Sequence, residues 1–100
     1  MATPTAPKHL SPSSRKLWRR IAEDYFSGQG EDAALLVLTA GMEARDRCAQ
    51  AREIVDREGM VVPTGTGSVK PHPAIHIERD ARLQLIRAMR ELGLDPDGAS

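Results

Sequence analysis

The 100-residue sequence holds a single cysteine, Cys48, and only three aromatic residues, Trp18, Tyr25 and Phe26. One cysteine excludes an internal disulfide and fits a reducing compartment. No apolar run approaches the ~18 residues of a membrane span. The leading MATPTAPKHL lacks the apolar core of a secretory signal. A cytoplasmic protein that does not enter a membrane is therefore expected. The scarcity of aromatics also limits the core. Thirteen of the 40 hydrophobic residues are alanine, so one domain with a core of small volume is the most the chain can build. Net charge excludes little, because 14 basic residues balance 14 acidic ones.

The distribution of charge is more informative than its sum. Residues 1–22 carry Lys8, Arg15, Lys16, Arg19 and Arg20 and no acid, whereas residues 23–100 carry 9 basic and 14 acidic side chains. A basic front on an acidic body suits a chain whose leading end meets an anion. A solvated helix face would give the same pattern.

Two of the seven prolines fall in the first ten residues, which read as a flexible basic arm over residues 1–10. Ser11-Pro12 then starts a helix, serine capping free N–H groups and proline occupying the first turn. Leu17, Trp18, Ile21, Ala22 and Tyr25 share one arc of it, with Arg15, Lys16, Arg19 and Arg20 opposite. The glycines of Ser27-Gly28-Gln29-Gly30 end it.

A second helix is expected from about Glu31 to Glu58, with Glu31 and Asp32 at its positive end. Val37, Gly41, Ala44, Cys48, Ala51 and Val55 alternate in steps of four and three, a narrow seam of mostly small residues that admits a close partner helix. Glu43 with Arg47, and Glu53 with Arg57, have the spacing of supporting ion pairs. A helix of this length is ~42 Å long, against a radius of gyration near ~13 Å for a compact chain of this size. The remaining residues are too few to cover such a rod. An oligomer with the seam as its interface is expected.

Met60-Val61-Val62-Pro63 and Ser68-Val69-Lys70 flank Thr64-Gly65-Thr66-Gly67, the pattern of a small β-hairpin. A phosphate-binding loop would need a Gly-Lys-Ser/Thr ending, which is absent. In VKPHPAIHIERDA (residues 69–81), Lys70-Pro71-His72-Pro73 holds the backbone extended and Pro73 opens the last helix. Ile77, Ala81, Leu85, Ala88 and Leu92 form its stripe, with Ile86 and Met89 beside it, and Gly93 and Pro96 end it. His72 and His76 have no third nitrogen or sulfur ligand nearby in sequence, which argues against zinc. Cys48 sits mid-helix among alanines with no adjacent histidine, which argues against a nucleophile. Neither metal nor cofactor is expected, and no catalytic constellation is present. The fold expected is mainly α: three helices, one of them long and central, with a small hairpin before the last. The body spans residues 11–96, with a flexible tail over 97–100.

Several stretches in this order resemble the P27 family of phage terminase small subunits. They are Pro7-Lys8-His9-Leu10-Ser11 leading into Leu17-Trp18-Arg19-Arg20-Ile21, Glu31-Asp32-Ala33-Ala34-Leu35-Leu36, Lys70-Pro71-His72-Pro73-Ala74, and Leu92-Gly93-Leu94-Asp95-Pro96. The chain departs from that family at His72, where asparagine is usual, and in lacking an arginine after Pro96. The resemblance implies a non-catalytic DNA-binding subunit that forms rings and delivers double-stranded viral DNA to a large ATPase/nuclease subunit in the bacterial host cytoplasm. Lys8, Arg15, Lys16, Arg19 and Arg20 would then contact phosphates. A helical adaptor that binds no DNA, and a small metal-dependent nuclease built on His72 and His76, are the competing readings.

Overall fold

The computed structural model describes residues 5–26 and 32–94. Within them the order is α1 (Pro12–Tyr25), α2 (Asp32–Glu58), β1 (Val61–Pro63), β2 (Val69–Pro71) and α3 (Pro73–Glu91). The glycine-rich stop expected at residues 27–30, the tail over 97–100 and the first four residues lie outside the described residues.

The starts of α1 and α3 each follow from a local rule. Ser11 caps α1, its hydroxyl accepting from the Ser14 N–H at 3.1 Å, with Pro12 following. His72 caps α3 through Nδ1, which accepts from the Ala74 N–H at 3.0 Å. A ring nitrogen that accepts leaves the proton on the other one. Nε2 accordingly donates to Glu58 Oε1 at 2.9 Å, tying the end of α2 to the start of α3. The stretch between the two prolines is therefore a helix cap. Gly59 and Gly93 take positive φ just past the ends of α2 and α3, where a side chain would be strained.

The two strands pair antiparallel, with Val61 opposite Pro71, Val62 opposite Lys70 and Pro63 opposite Val69. The His72 N–H donates to the Met60 carbonyl at 2.8 Å and continues the ladder into α3.

Helix α3 returns along α2, and the two approach closely because small residues meet. Gly41, Ala44 and Ala51 of α2 are buried, as are Ala74, Ala81 and Ala88 of α3, which recur every seven residues. A Cβ added at Gly41 would lie 2.9 Å from the Ala88 Cβ and 3.3 Å from the Met89 Cε. The seam expected to meet another subunit is thus occupied, at Gly41, by α3 of the same chain. Its remaining members, Val37, Cys48 and Val55, are half-buried. The physical reason is that α3 presents methyl groups at the spacing the seam requires.

The larger apolar side chains gather towards one end. Leu10, Trp18, Ile21, Ala22, Leu38 and Met42 form the buried cluster, with Leu17, Phe26, Leu35, Leu85, Met89 and Leu92 packed around it. Ala6 and Leu10, placed by composition in a flexible arm, belong to this cluster. A turn closed by Leu10 N–H to the Pro7 carbonyl, at 3.3 Å, brings them in. Tyr25, expected on the apolar arc of α1, is instead exposed at the last residue of that helix. The expected Glu43–Arg47 and Glu53–Arg57 pairs do not form among the described residues. Glu43 meets His9 and Arg57 meets Glu58.

Two stability measurements follow. Gly41→Val should lower the unfolding free energy by about 1–3 kcal/mol, since the added atoms meet a rigid Cβ. The exposed neighbour substitution Ala40→Val should stay within about 0.5 kcal/mol apart from a small helix-propensity loss. Urea denaturation of the two variants tests the contact. His72→Ala should cost about 1 kcal/mol by loss of the cap, and His72→Asn should recover most of it.

Candidate nucleic-acid interface

The residues with the strongest claim to contact an anion are on α1 and the turn before it. The apolar arc of α1 turns inward: Trp18, Ile21 and Ala22 are buried against α2. The opposite arc must therefore face solvent. Lys8, Lys16, Arg19 and Arg20 are exposed, and Arg15 is partly exposed. Among the described residues, none of these five pairs with a carboxylate. The same arc ends in Glu23 and Asp24, both exposed in the last turn of α1. The basic surface is thus confined to the first two and a half turns of the helix and the turn leading into it.

What orients this helix is a carboxylate from α2. Asp46 Oδ2 accepts from the Ser11 N–H at 2.8 Å, and Oδ1 accepts from the Ser11 hydroxyl at 2.7 Å and the Ser14 hydroxyl at 2.6 Å. Ser14 is fully buried. Arg45 donates to the Ser13 and Ser14 hydroxyls at 3.0 and 2.9 Å. A negative charge at the positive end of a helix is favourable, and here it comes from a different helix. Burial pushes the Asp46 carboxyl up, but the hydrogen bonds from Ser14 and Ser11, with Arg45 nearby, outweigh it and hold the group below its usual range. Further along, Trp18 Nε1–H donates to Thr39 Oγ1 at 3.1 Å. These two points fix α1 in both position and rotation, so its basic arc has one direction to face.

Asp46 and Arg45 were not legible as site-forming residues. They lie more than 30 positions from their partners in sequence, inside a helix where charged residues are ordinary. Arg45 and Arg52 line an open cleft of about 510 Å3 beside the α1 N-terminus, together with Ser11, Ser13 and Leu85.

The histidines do not converge. His72 caps α3, His76 is exposed on its first turns, and His9 hydrogen bonds Glu43 at 2.7 Å. Among the described residues no three His, Cys, Asp or Glu side chains come together as metal ligands would. Cys48 is half-buried. The hydrogen bond from His72, with Arg57 next, holds the Glu58 carboxyl below its usual range. No helix among the described residues is long and apolar enough to cross a membrane.

A family model described as phage terminase, small subunit, matches residues 10–100. The chain belongs to that family. The match supports the terminase small subunit as a whole and does not extend to the narrower P27 group. It covers all three helices and the hairpin. Small subunits of terminases are non-catalytic, so this chain is a non-catalytic component. Neither the curated proteins nor the solved structures give a match.

The Asp46 contact carries a pH signature. A carboxyl held below its ordinary range in the folded state stabilises the fold above that range, and the stabilisation is lost as pH falls through the depressed value. Asp46→Ala should cost about 1–3 kcal/mol near neutral pH, because the buried Ser14 hydroxyl loses its acceptor. The difference between wild type and variant should shrink as pH drops below about 4, the ordinary aspartate range. Thermal unfolding across pH 2.5–7 of the two proteins checks both the size and the sign.

Proposed function

We propose that the chain binds double-stranded DNA through the outward arc of α1 and the turn before it, as the recognition component of a phage terminase. The subunit would gather viral DNA in the cytoplasm of a bacterial host and deliver it to the large ATPase/nuclease subunit for genome packaging. The observation that carries this reading is the set of cations Lys8, Arg15, Lys16, Arg19 and Arg20, solvent-facing and without carboxylate partners among the described residues. Cations held clear of internal acids are available to replace counterions on a phosphate backbone. Family membership gives the same direction.

Binding of this kind reads charge density more than base edges. An acidic residue, Asp32, opens α2, which suits that helix poorly to a major groove lined with phosphates. Sequence preference, where present, would come from the shape of the duplex. The weak grip of a single subunit would be multiplied if copies assemble, by ordinary avidity.

Assembly is the second part of the proposal. The chain measures 61 × 30 × 19 Å with a radius of gyration of 16.8 Å, against ~13 Å for a compact chain of this length. An elongated body with a thin core exposes apolar surface that other copies can cover. A homo-oligomer, closed as a ring, would place the basic arcs of all subunits in one continuous band.

Fluorescence anisotropy on labelled duplex DNA tests the charge claim. Replacing Arg15, Lys16, Arg19 and Arg20 together by glutamate should abolish binding and leave the helical circular dichroism signal unchanged. For wild type, affinity should fall with salt with a log–log slope of about −4 to −5 per subunit engaged through five phosphates. Unchanged affinity in the reversed variant would remove α1 from the interface. Failure of wild type to bind any duplex at low salt, together with a stable complex with a large subunit, would favour an adaptor role.

A further inference from the structure

His72 stands at the joint between the ribbon and α3, and both of its ring nitrogens are committed. Nδ1 accepts from the Ala74 N–H at 3.0 Å, and Nε2 donates to Glu58 Oε1 at 2.9 Å. Only one protonation state satisfies both contacts, the neutral ring with its proton on Nε2. The side chain is 11% exposed, so solvent offers little substitute for either bond. The backbone is equally constrained. Pro71 and Pro73 flank it, its N–H donates to the Met60 carbonyl, and its carbonyl accepts from the Ile75 N–H at 2.9 Å. The cap matters more here than at an open helix end. Pro73 has no N–H, which makes the Ala74 N–H the first donor of α3. Ala74 is 3% exposed, and a buried donor that loses its acceptor is costly.

The charged groups around the ring come from α2, β2 and α3. Glu58 lies against Nε2, and Arg57 meets the other oxygen of that carboxylate at 3.3 Å. Arg47 of α2 lines the cleft beside Ala74. Lys70 of β2 is two residues ahead of the ring, and β1 has no ionisable side chain. On α3, His76 is exposed, Glu78 pairs with Arg82 and Arg79 pairs with Asp80. Of these groups, Glu58 alone hydrogen bonds the ring among the described residues. The bond from His72, and then Arg57, hold the Glu58 carboxyl below its usual range. It is therefore ionised throughout the range in which an imidazole gains its second proton, ordinarily near pH ~6.5.

We propose that His72 is a pH-sensitive joint: a second proton on its ring turns Nδ1 from acceptor to donor, removes the cap and frees the first turn of α3, while Glu58 keeps hold of the ring. The proton adds to the lone pair that had accepted from Ala74, so two donors then face each other where a 3.0 Å bond had been. Protonation acts in opposite senses on the two contacts. The cap favours the neutral ring, so its stabilisation is present at high pH and is lost as pH falls. The ionised Glu58 favours the charged ring, and that contact strengthens as pH falls. With the two opposed, the stability of the whole chain is a poor gauge of the joint. The Ala74 amide is a specific one.

The test is NMR of the 15N-labelled full chain between about pH 8 and pH 5, a window above the ordinary aspartate range. At the upper end the His72 ring should carry its proton on Nε2 and none on Nδ1. As pH falls, Nδ1 should gain a proton. Over the same step the exchange protection of the Ala74 amide, corrected for the intrinsic pH dependence of exchange, should drop about fivefold. That ratio corresponds to a cap of ~1 kcal/mol. His72→Asn should stay protected across the whole window, because an asparagine side chain caps without titrating. Glu58→Gln keeps an acceptor for Nε2 and removes the charge, so it should move the ring titration and the Ala74 step together to lower pH. His76→Ala should leave both in place. Mixed tautomers at pH 8, or an Ala74 amide indifferent to the titration of the ring, would overturn the joint. So would a His72→Asn variant that keeps the step, a Glu58→Gln variant in which the two midpoints part, or a His76→Ala variant that loses it.

Discussion

The structure depends on how closely α2 and α3 approach. With glycine and alanine along the line of contact, the two helices meet nearly backbone to backbone, and Gly41 against Ala88 leaves no room for another carbon. Small residues gain less from burial than large ones, since stabilisation follows the apolar area removed from water. The chain compensates at one end only. There, Leu10, Trp18, Ile21, Leu38 and Met42 form a cluster from the segment before α1, α1 itself and the first half of α2. Towards the hairpin the body is thin, and Met60, Val61, Val69 and Ile77 are left facing outward. One packing choice thus accounts for the long shape, the off-centre core and the unused apolar surface.

Helix α1 is attached to this pair rather than built into it. Its hold comes from the apolar arc around Trp18, from the Trp18–Thr39 hydrogen bond and from the Asp46 bonds to Ser11 and Ser14. The consequence for a terminase small subunit is geometric. Two separated fixings stop the helix from rolling about its axis, so the arginines and lysines of its outer arc keep a defined heading. Polar hydrogen bonds at one point and apolar packing at the other do this with few residues, which a chain of 100 can supply.

Much of the fold was legible in the sequence. Ser11-Pro12 and His72-Pro73 mark helix starts through backbone chemistry that acts over two or three residues, and Gly59 and Gly93 mark ends by the same kind of local rule. The hairpin followed from valines on either side of a threonine–glycine turn. The partner of the Gly41 seam was not legible, because a line of small residues looks the same whether the helix against it belongs to the same chain or another. Burial of Ala6 and Leu10 was also hidden: a proline-rich segment can stay free or, given one turn at Pro7, lie down on a core. Of the candidate interface, the cations and their arc could be read directly, since the apolar stripe dictates which side faces out. Asp46, which fixes that arc in place, could not, because the pairing joins residues 35 apart.

The same carboxylate has an effect on what kind of grip is open to the molecule. Helix beginnings are common seats for phosphate, offering backbone donors that hold an anion rigidly at one spot. In this chain that seat is taken from within, by a side chain whose oxygens already fill the opening of α1. A nucleic acid meeting this surface would find mobile, water-loving side-chain tips instead of a fixed socket. Such tips swing to follow a backbone that moves past them, a handhold suited to a strand in transit rather than one locked at a single phosphate.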